Sequence, residues 1–383
     1  MARVALVASS FLPRVGGVEE HVANVAVELR DRGHEVVVWA ADRGDVPLRD
    51  HRGIRVRYLP CPLPTRSVSG VARFGAALPA ARRVWTRALR EDAPEVLHVQ
   101  CFGPNGVYAE WLARRRRLPL VYSHHGETFG DADGAFDVSA LLRDRLARTL
   151  RRADAVTSVS AWAAGDLERF GFPPDRVRVV YNGVDPDEPV GPPPPGLPER
   201  YVLGVGRLAG NKGFDVLVRA FARVAGEPEL HGVGLVIGGD GPEAGSLHRL
   251  AAASGIADRV EMPGMLARPE VGGAMRSAAL LVVPSRVEAF GIAVLEGWRA
   301  GIPVLATTHG GPPEFTRDGV DAVLIDPDDE AAVADALRRV LADPAFAGAL
   351  GRAGGARVGD FSWGAVARAY SAIYDDALSA RRS

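Results

Sequence analysis

Cysteine and lysine are both scarce. Cys61 and Cys101 are the two cysteines of a 383-residue chain, too few for a disulfide framework or a thiolate metal site. Forty-five arginines stand against one lysine, Lys212. An Arg- and Ala-rich composition reflects a GC-rich coding background and is silent on function. A lysine kept against that bias marks a position where a planar guanidinium does not serve. Net charge is also missing: the formal value is −1, which argues against a protein built to coat nucleic acid. No apolar run approaches the ~20 residues of a membrane span. The first ten residues lack a basic leader, and Val4 to Ala8 read as a buried strand and not as a signal peptide. The expectation is a soluble cytoplasmic protein.

Glycine (44) and proline (28) are abundant, and their spacing reads as frequent tight turns. Between the turns, short β-branched runs alternate with amphipathic stretches. Strands are predicted at Val4–Ser10, Glu35–Ala40, Ile54–Leu59, Glu95–Val99, Leu118–Ser123, Ala155–Ser158 and Arg176–Val180, with helices between them. Val71–Glu91 reads as a helix that Pro79 kinks or divides. Asp185 to Arg200 is proline-rich and reads as a semi-rigid spacer. The rhythm then restarts, with strands near Tyr201–Val205, Gly234–Gly238, Arg259–Met262, Ala279–Val283, Val304–Ala306 and Ala322–Ile325, and a last helix from Trp363 to Leu378. Repeated βα units imply parallel sheets covered by helices on both faces. The predicted organisation is a domain over 1–185, a linker over 186–200, a second domain over 201–360, and a final helix over 361–383 that crosses back to the first. Ligands of such sheets bind beyond the C-terminal strand ends, so the expected site is a cleft between the two domains.

Four local patterns carry chemistry. Gly204-Val205-Gly206-Arg207-Leu208 followed by Lys212-Gly213 ends a strand in a glycine turn and delivers two cations to a helix start, a combination suited to a diphosphate. Glu288-Ala-Phe-Gly-Ile-Ala-Val-Leu-Glu296 places one carboxylate in a loop and another one turn into the next helix, suited to sugar diols, with the backbone N–H groups of Phe290, Gly291 and Ile292 at the helix start. His124-His125-Gly126-Glu127 follows a strand, and alternation turns one of the two histidines to the site. Gly16-Gly17 opens a helix after the first strand and permits close approach of a ligand. A GxGxxG dinucleotide fingerprint is missing.

In sequence order these pieces resemble one family. Pro13/Gly16-Gly17/Glu19, His125-Gly126, Asn182-Gly183-Val184-Asp185, Gly206-Arg207-Leu208 with Lys212-Gly213, Gly239-Asp240-Gly241-Pro242, Pro284-Ser285, Glu288/Glu296, Gly301-Ile302-Pro303-Val304 and Gly310-Gly311 with Glu314 together resemble the retaining glycosyltransferases of family 4, the glycogen-synthase-like group 1. Ala322 departs from the glycine common in that family. The resemblance implies the α/β fold called GT-B: two doubly wound Rossmann-like parallel-sheet domains facing across a cleft. It implies a hexosyltransferase that moves sugar from a UDP-, GDP- or other nucleoside-diphosphate sugar to a hydroxyl of a small-molecule, glycan or lipid-linked acceptor. No cofactor and no metal are implied. Arg207 and Lys212 would hold the diphosphate, and Glu296 the ribose. Glu288, with the N–H groups of Phe290, Gly291 and Ile292, would hold the transferred sugar. His125 would orient that sugar. Gly16 and Gly17 would bring backbone to phosphate or acceptor, and Gly264 and Met265 would face the base. The catalytic set is then His125, Glu288, Arg207 and Lys212, and Glu127 and Glu19 are the acceptor-side candidates. Retention is expected through a front-face route in which the leaving phosphate takes the acceptor proton.

Asp131-Ala132-Asp133 matches the DxD of metal-dependent transferases but reads here as loop acids. The Arg114–Arg117 run and Arg143, Arg145, Arg148, Arg151 and Arg152 read as solvated faces, with weak peripheral docking to anionic lipid as the sharper reading. Competing functions are a phosphorylase or nucleotide-sugar epimerase on the same architecture, and a non-catalytic sugar-nucleotide binder.

Overall fold

A computed structural model describes residues 1–14, 16–44, 48–65, 67–130 and 134–381. Asp131 and Asp133 lie outside the described residues. The chain divides into two compact units, one formed by Met1–Asn182 with Trp363–Ser383 and the other by Gly183–Ser362.

The first unit holds a sheet of eight strands among the described residues: β1 (Arg3–Ala8), β2 (Glu35–Ala41), β3 (Asp50–His51), β4 (Ile54–Leu59), β5 (Val96–Gln100), β6 (Leu120–His124), β7 (Ala155–Ser158) and β8 (Arg178–Val179). Their order is β3-β4-β2-β1-β5-β6-β7-β8. All neighbours are parallel except the small antiparallel β3–β4 pair, which the sequence reading missed because two residues give no periodicity. β1 is central, with Ala5 opposite Val37 of β2 and Leu97 of β5. Alternation along β1 sorts its side chains. Ala5 and Val7 join a core under the helices Val68–Asp92, Pro104–Arg116 and Ala140–Arg152. Val4, Leu6 and Ala8 join a core under the helix Gly17–Asp31 and the terminal helix Trp363–Ala380. A strand buried on both faces must be apolar throughout, which is why β1 reads as a continuous run. Each fully buried Leu or Val there contributes about 1.5–3 kcal/mol.

Pro79 does not divide its helix, which runs from Val68 to Asp92. The residue four positions earlier is Gly75, and both are exposed. The carbonyl of Gly75, freed of its hydrogen bond by Pro79, lies on an exposed face where solvent can satisfy it.

The second unit holds β9 (Arg200–Val205), β10 (Val233–Gly238), β11 (Val260–Gly264), β12 (Leu280–Val283), β13 (Val304–Thr307) and β14 (Val323–Ile325), in the order β11-β10-β9-β12-β13-β14. Every pairing is parallel. The topology reverses between β9 and β12, and the crevice beyond their C-terminal ends is where such sheets bind ligands. The proline-rich stretch lies on this unit. Gly191 N–H donates to Pro269 O at 3.1 Å, and Glu188 pairs with Arg268 and Arg299. Side-chain anchors fix this stretch where composition alone reads as a spacer. Among the described residues, no helix is long and apolar enough to cross a membrane.

Candidate active site

At the switch point of the second sheet, two loops meet. β9 ends in Gly206-Arg207-Leu208, makes a short 3-10 turn at Gly210–Lys212 and enters the helix Phe214–Val224. The loop after β12 carries Pro284 to Gly291 into the helix Ile292–Ala300. Gly213 has φ +67°, and a Cβ there would lie 2.0 Å from Pro284 O, so the backbones touch only because residue 213 has no side chain. Arg286 and Val287 N–H groups donate to Asn211 O. Arg286 also bridges Gly210 O and the Asp215 carboxylate, at 2.7–2.8 Å. Burial alone raises the Asp215 pKa, but hydrogen bonds from Arg286 and Arg219 outweigh it and bring it down to about 2.

This clamp sets Lys212 Nζ 2.7 Å from Glu288 Oε2, and Ser285 Oγ donates to the same oxygen at 2.9 Å. The Glu288 backbone is fixed from the far side, its N–H donating to His309 O and its carbonyl accepting from Gly311. Arg207 is exposed on the adjoining turn. Phe290 turns its ring inward onto Phe315, stacked at 4.7 Å, so it offers the site its backbone alone. Gly291 (φ +101°) is the N-cap of that helix, its carbonyl accepting from Val294 N–H at 3.0 Å. One turn on, buried Glu296 pairs with Arg268, whose other nitrogens reach Glu188 at 2.9 and 3.0 Å. Gly264 (φ +79°) ends β11 beside Met265, which is 72% exposed.

In the first unit the topology reverses between β1 and β5. Gly16 precedes the helix Gly17–Asp31, which has no side-chain cap, and Glu19 turns back to Ser10 Oγ. His124, the last residue of β6, is fully buried and bonds Thr128 Oγ1 at 2.8 Å. His125 is half-buried, with Nε2 2.7 Å from Gln100 Oε1. Burial, then the neighbouring His21, His124 and His98, hold His125 well below its ordinary pKa. Glu127 faces inward. One oxygen accepts from Phe102 N–H at 2.5 Å and Tyr122 O–H at 2.7 Å, and the other from His125 N–H at 2.8 Å. Its carboxylate therefore braces the histidine loop.

Sequence comparison supplies what geometry alone does not. The profile described as glycosyl transferases group 1 matches residues 193–357, and the profile of glycosyltransferase family 4 matches residues 15–188. A D-inositol 3-phosphate glycosyltransferase from Thermobispora bispora is 31% identical, covering 95% of this chain and 90% of that one. The chain belongs to glycosyltransferase family 4. A GDP-mannose-dependent α-(1-6)-phosphatidylinositol monomannoside mannosyltransferase from Mycolicibacterium smegmatis is 29% identical over 91% of the transferase and 92% of its own length. Among solved structures, sucrose-phosphate synthase from Thermosynechococcus elongatus has a TM-score of 0.79 at 23% identity, covering 98% of this chain and 99% of that one. HepE from Anabaena, solved with UDP, scores 0.78 at 21% identity, covering 97% and 99%. These likenesses match the GT-B class of two Rossmann-like domains.

Within the transferase, Arg207, Lys212, Glu288 and Glu296 lie on the loops and helix starts beyond β9 and β12. Their partners Arg268 and Glu188 escaped the sequence reading. One arginine among 45 carries no signal, and Glu188 sits in the stretch read as a spacer. Among the described residues, His309, Asp326 and Asp328 bring three ligand-type atoms within 4.8 Å of one another at the surface. The sequence reading did not single out this group.

Proposed function

We propose that this transferase moves a hexose from a nucleoside-diphosphate sugar to an acceptor hydroxyl, with retention of configuration and without a catalytic metal. The contact of Lys212 with Glu288 beyond β9 and β12 carries the reading, since it joins a cation for a diphosphate to a carboxylate for a sugar diol. As the glycosidic bond breaks, negative charge gathers on the departing phosphate. Fixed cations there stabilise it in the transition state, by roughly 3 kcal/mol per preorganised donor. Lys212 and Arg207 fill that role, which a metal ion takes elsewhere. Glu288, with the backbone N–H groups of Phe290 and Gly291, accepts and donates to the transferred sugar. Glu296 takes the ribose, Gly264 and Met265 flank the base, Gly16 and Gly17 bring backbone to phosphate or acceptor, and His125 orients the sugar.

With Glu288 bound to Lys212 and Ser285, it serves as a donor ligand and not as a covalent nucleophile. The bond from anomeric carbon to phosphate oxygen breaks, the bond to the acceptor oxygen forms on the same face, and the acceptor proton passes to the departing phosphate oxygen. The test is a thermal-shift screen of UDP-glucose, UDP-N-acetylglucosamine and GDP-mannose, then turnover with D-inositol 3-phosphate as the first acceptor, prompted by the names of the relatives. Stabilisation by one donor, EDTA-resistant turnover and a product of retained anomeric configuration support the reading. Turnover that requires inorganic phosphate and no acceptor favours a phosphorylase.

A second reading concerns peripheral docking to an anionic bilayer. A groove of about 380 Å³ is lined by Arg82, Arg83, Arg90, Arg115 and Arg116 with Trp111, and Val84, next to Arg83 in the helix Val68–Asp92, is 40% exposed. Cations beside exposed apolar side chains suit an interface of anionic headgroups. The helix Ala140–Arg152 is a poorer candidate, because Arg148 pairs with Asp144 and Arg152 with Glu110. Co-sedimentation with phosphatidylglycerol-containing vesicles, lost at high salt and in Arg82→Ser/Arg83→Ser/Arg115→Ser, supports it. Equal retention on neutral phosphatidylcholine vesicles removes it.

A further inference from the structure

Gln100 is the last residue of β5, at the topological switch point of the first sheet, and it is the chain's single glutamine. Strand alternation puts it on the same face as His98, toward the terminal helix. Both are fully buried, so their polar atoms require partners.

The hydrogen bonds beneath His125 admit a consistent assignment of donors and acceptors. Asn182 Oδ1 lies 2.7 Å from His21 Nδ1, and an amide oxygen accepts, so His21 carries its proton on Nδ1. His21 Nε2 then accepts from Tyr370 O–H at 3.2 Å. The Tyr370 oxygen, its own proton committed, accepts from Ser123 Oγ at 3.2 Å. The Gln100 amide nitrogen faces His98, 3.3 and 3.2 Å from its two ring nitrogens. Gln100 Oε1 is left facing His125 Nε2 at 2.7 Å. His98 closes the set, bonding Ser123 Oγ at 2.7 Å and Tyr374 O–H at 2.6 Å.

We propose that Gln100 is the positioning residue of the active-site histidine: it holds His125 in the Nε2–H tautomer, leaves the Nδ1 lone pair to accept from a substrate hydroxyl, and is itself oriented by His98, whose ring packs against Tyr370 of the terminal helix. The inference rests on the reading of His125 as the sugar-side histidine.

Two features separate this from simple packing. Glu127 already holds the His125 backbone N–H at 2.8 Å, so the Gln100 contact acts on the ring alone. The orienting group is also neutral. In catalytic triads a carboxylate holds the histidine and stabilises its imidazolium. The ring of His125 instead meets the Gln100 amide, the edge of His21 at 4.6 Å, and His98 and His124 nearby, while the Glu127 carboxylate is spent on backbone and Tyr122. Among the described residues no carboxylate pairs with the His125 ring; Glu127 reaches its backbone and lies 3.9 Å from His124 Nε2. A histidine so placed orients a hydroxyl and does not carry a proton through the reaction.

The experiment is nitrogen NMR of histidine-labelled full-length chain, with His125→Gln supplying the assignment, in wild type, Gln100→Leu, Gln100→Glu and Tyr370→Phe. Wild type is expected to show the Nε2–H tautomer and to stay neutral well below the ordinary histidine pKa. Gln100→Leu is expected to lose that tautomer preference, and Gln100→Glu to make His125 protonate at higher pH because a carboxylate favours the charged ring. Tyr370→Phe weakens the preference without abolishing it. With whichever of UDP-glucose or GDP-mannose the chain turns over, Gln100→Leu should lower kcat roughly tenfold or more while donor KM changes little. Gln100→Glu should move the acid-side loss of kcat to higher pH. An Nδ1–H tautomer in wild type, or unchanged His125 behaviour in Gln100→Leu and Gln100→Glu, overturns the proposal. If Gln100→Leu fails to fold, Gln100→Glu and Tyr370→Phe decide it. The NMR arm needs no donor, so a tautomer set by Gln100 in a chain that turns over no nucleotide sugar supports the positioning and removes the functional reading.

Discussion

Lys212 and Glu288 are 76 residues apart and meet as an ion pair, Nζ to Oε2 at 2.7 Å, with side chains 30% and 13% exposed. Each belongs to a different βα loop of one sheet, and the pair joins the two loops where the strand order reverses. The two groups satisfy each other, which lowers the cost of holding either one partly desolvated.

Lys212→Arg tests whether the lone lysine is a point charge in a fitted cradle. The longer planar fork cannot keep the contact to Glu288 without moving the loop clamped by Arg286. Turnover of the nucleotide sugar should fall at least about tenfold, with the unfolding midpoint nearly unchanged. Turnover close to that of wild type counts against the cradle.

Gly213→Ala is expected to destabilise the second unit. The new Cβ meets Pro284 O at 2.0 Å and the residue is held at φ +67°. Left-handed strain alone costs on the order of 1–3 kcal/mol, and the clash adds to it. A lower urea midpoint followed by circular dichroism checks this. An unchanged midpoint shows that the two loops separate easily.

Arg268→Ala leaves Glu296 and Glu188 without their shared cation. Glu296, buried in its helix, then loses the group that aims it. Affinity for a nucleoside diphosphate should drop about five- to tenfold, read by calorimetry, while Arg268→Lys recovers part of it. An affinity equal to wild type places the ribose elsewhere.

Acid should loosen the first unit. Burial holds His21, His98, His124 and His125 below their ordinary pKa, His21 at about 4. In the unfolded chain these rings titrate near the ordinary 6.5, so below that pH the unfolded state binds more protons. The stabilisation is complete above about pH 6.5 and is lost progressively as pH falls toward about 4. Urea midpoints measured across that window should fall steadily, and a flat profile contradicts the neutral histidine cluster.

Much of the architecture was legible because parallel strands buried on both faces are written as local apolar runs. Ile54–Leu59 and Ala155–Ser158 fall where periodicity puts them. Lys212, Glu288 and Glu296 stood out through unusual residue type or spacing beside glycine turns. Pro79 does not divide its helix, because tolerance of a proline depends on exposure, which a helix-breaker rule does not weigh. Arg268 and Glu188 were invisible, since an ion pair 80 residues apart in sequence leaves no local trace. Gln100 left a trace that went unread: histidine and glutamine two apart on one face of an otherwise apolar strand demand buried partners.

The most direct test of the donor site is calorimetric titration of UDP and GDP into the full chain and into Lys212→Ala. Saturable binding of at least one nucleotide to wild type is expected, weakened about tenfold or more in the variant, where the diphosphate loses its cation. Binding of equal strength in both proteins, or none to wild type, contradicts the placement of the diphosphate at Lys212 and with it the account of the second unit as the donor-binding half.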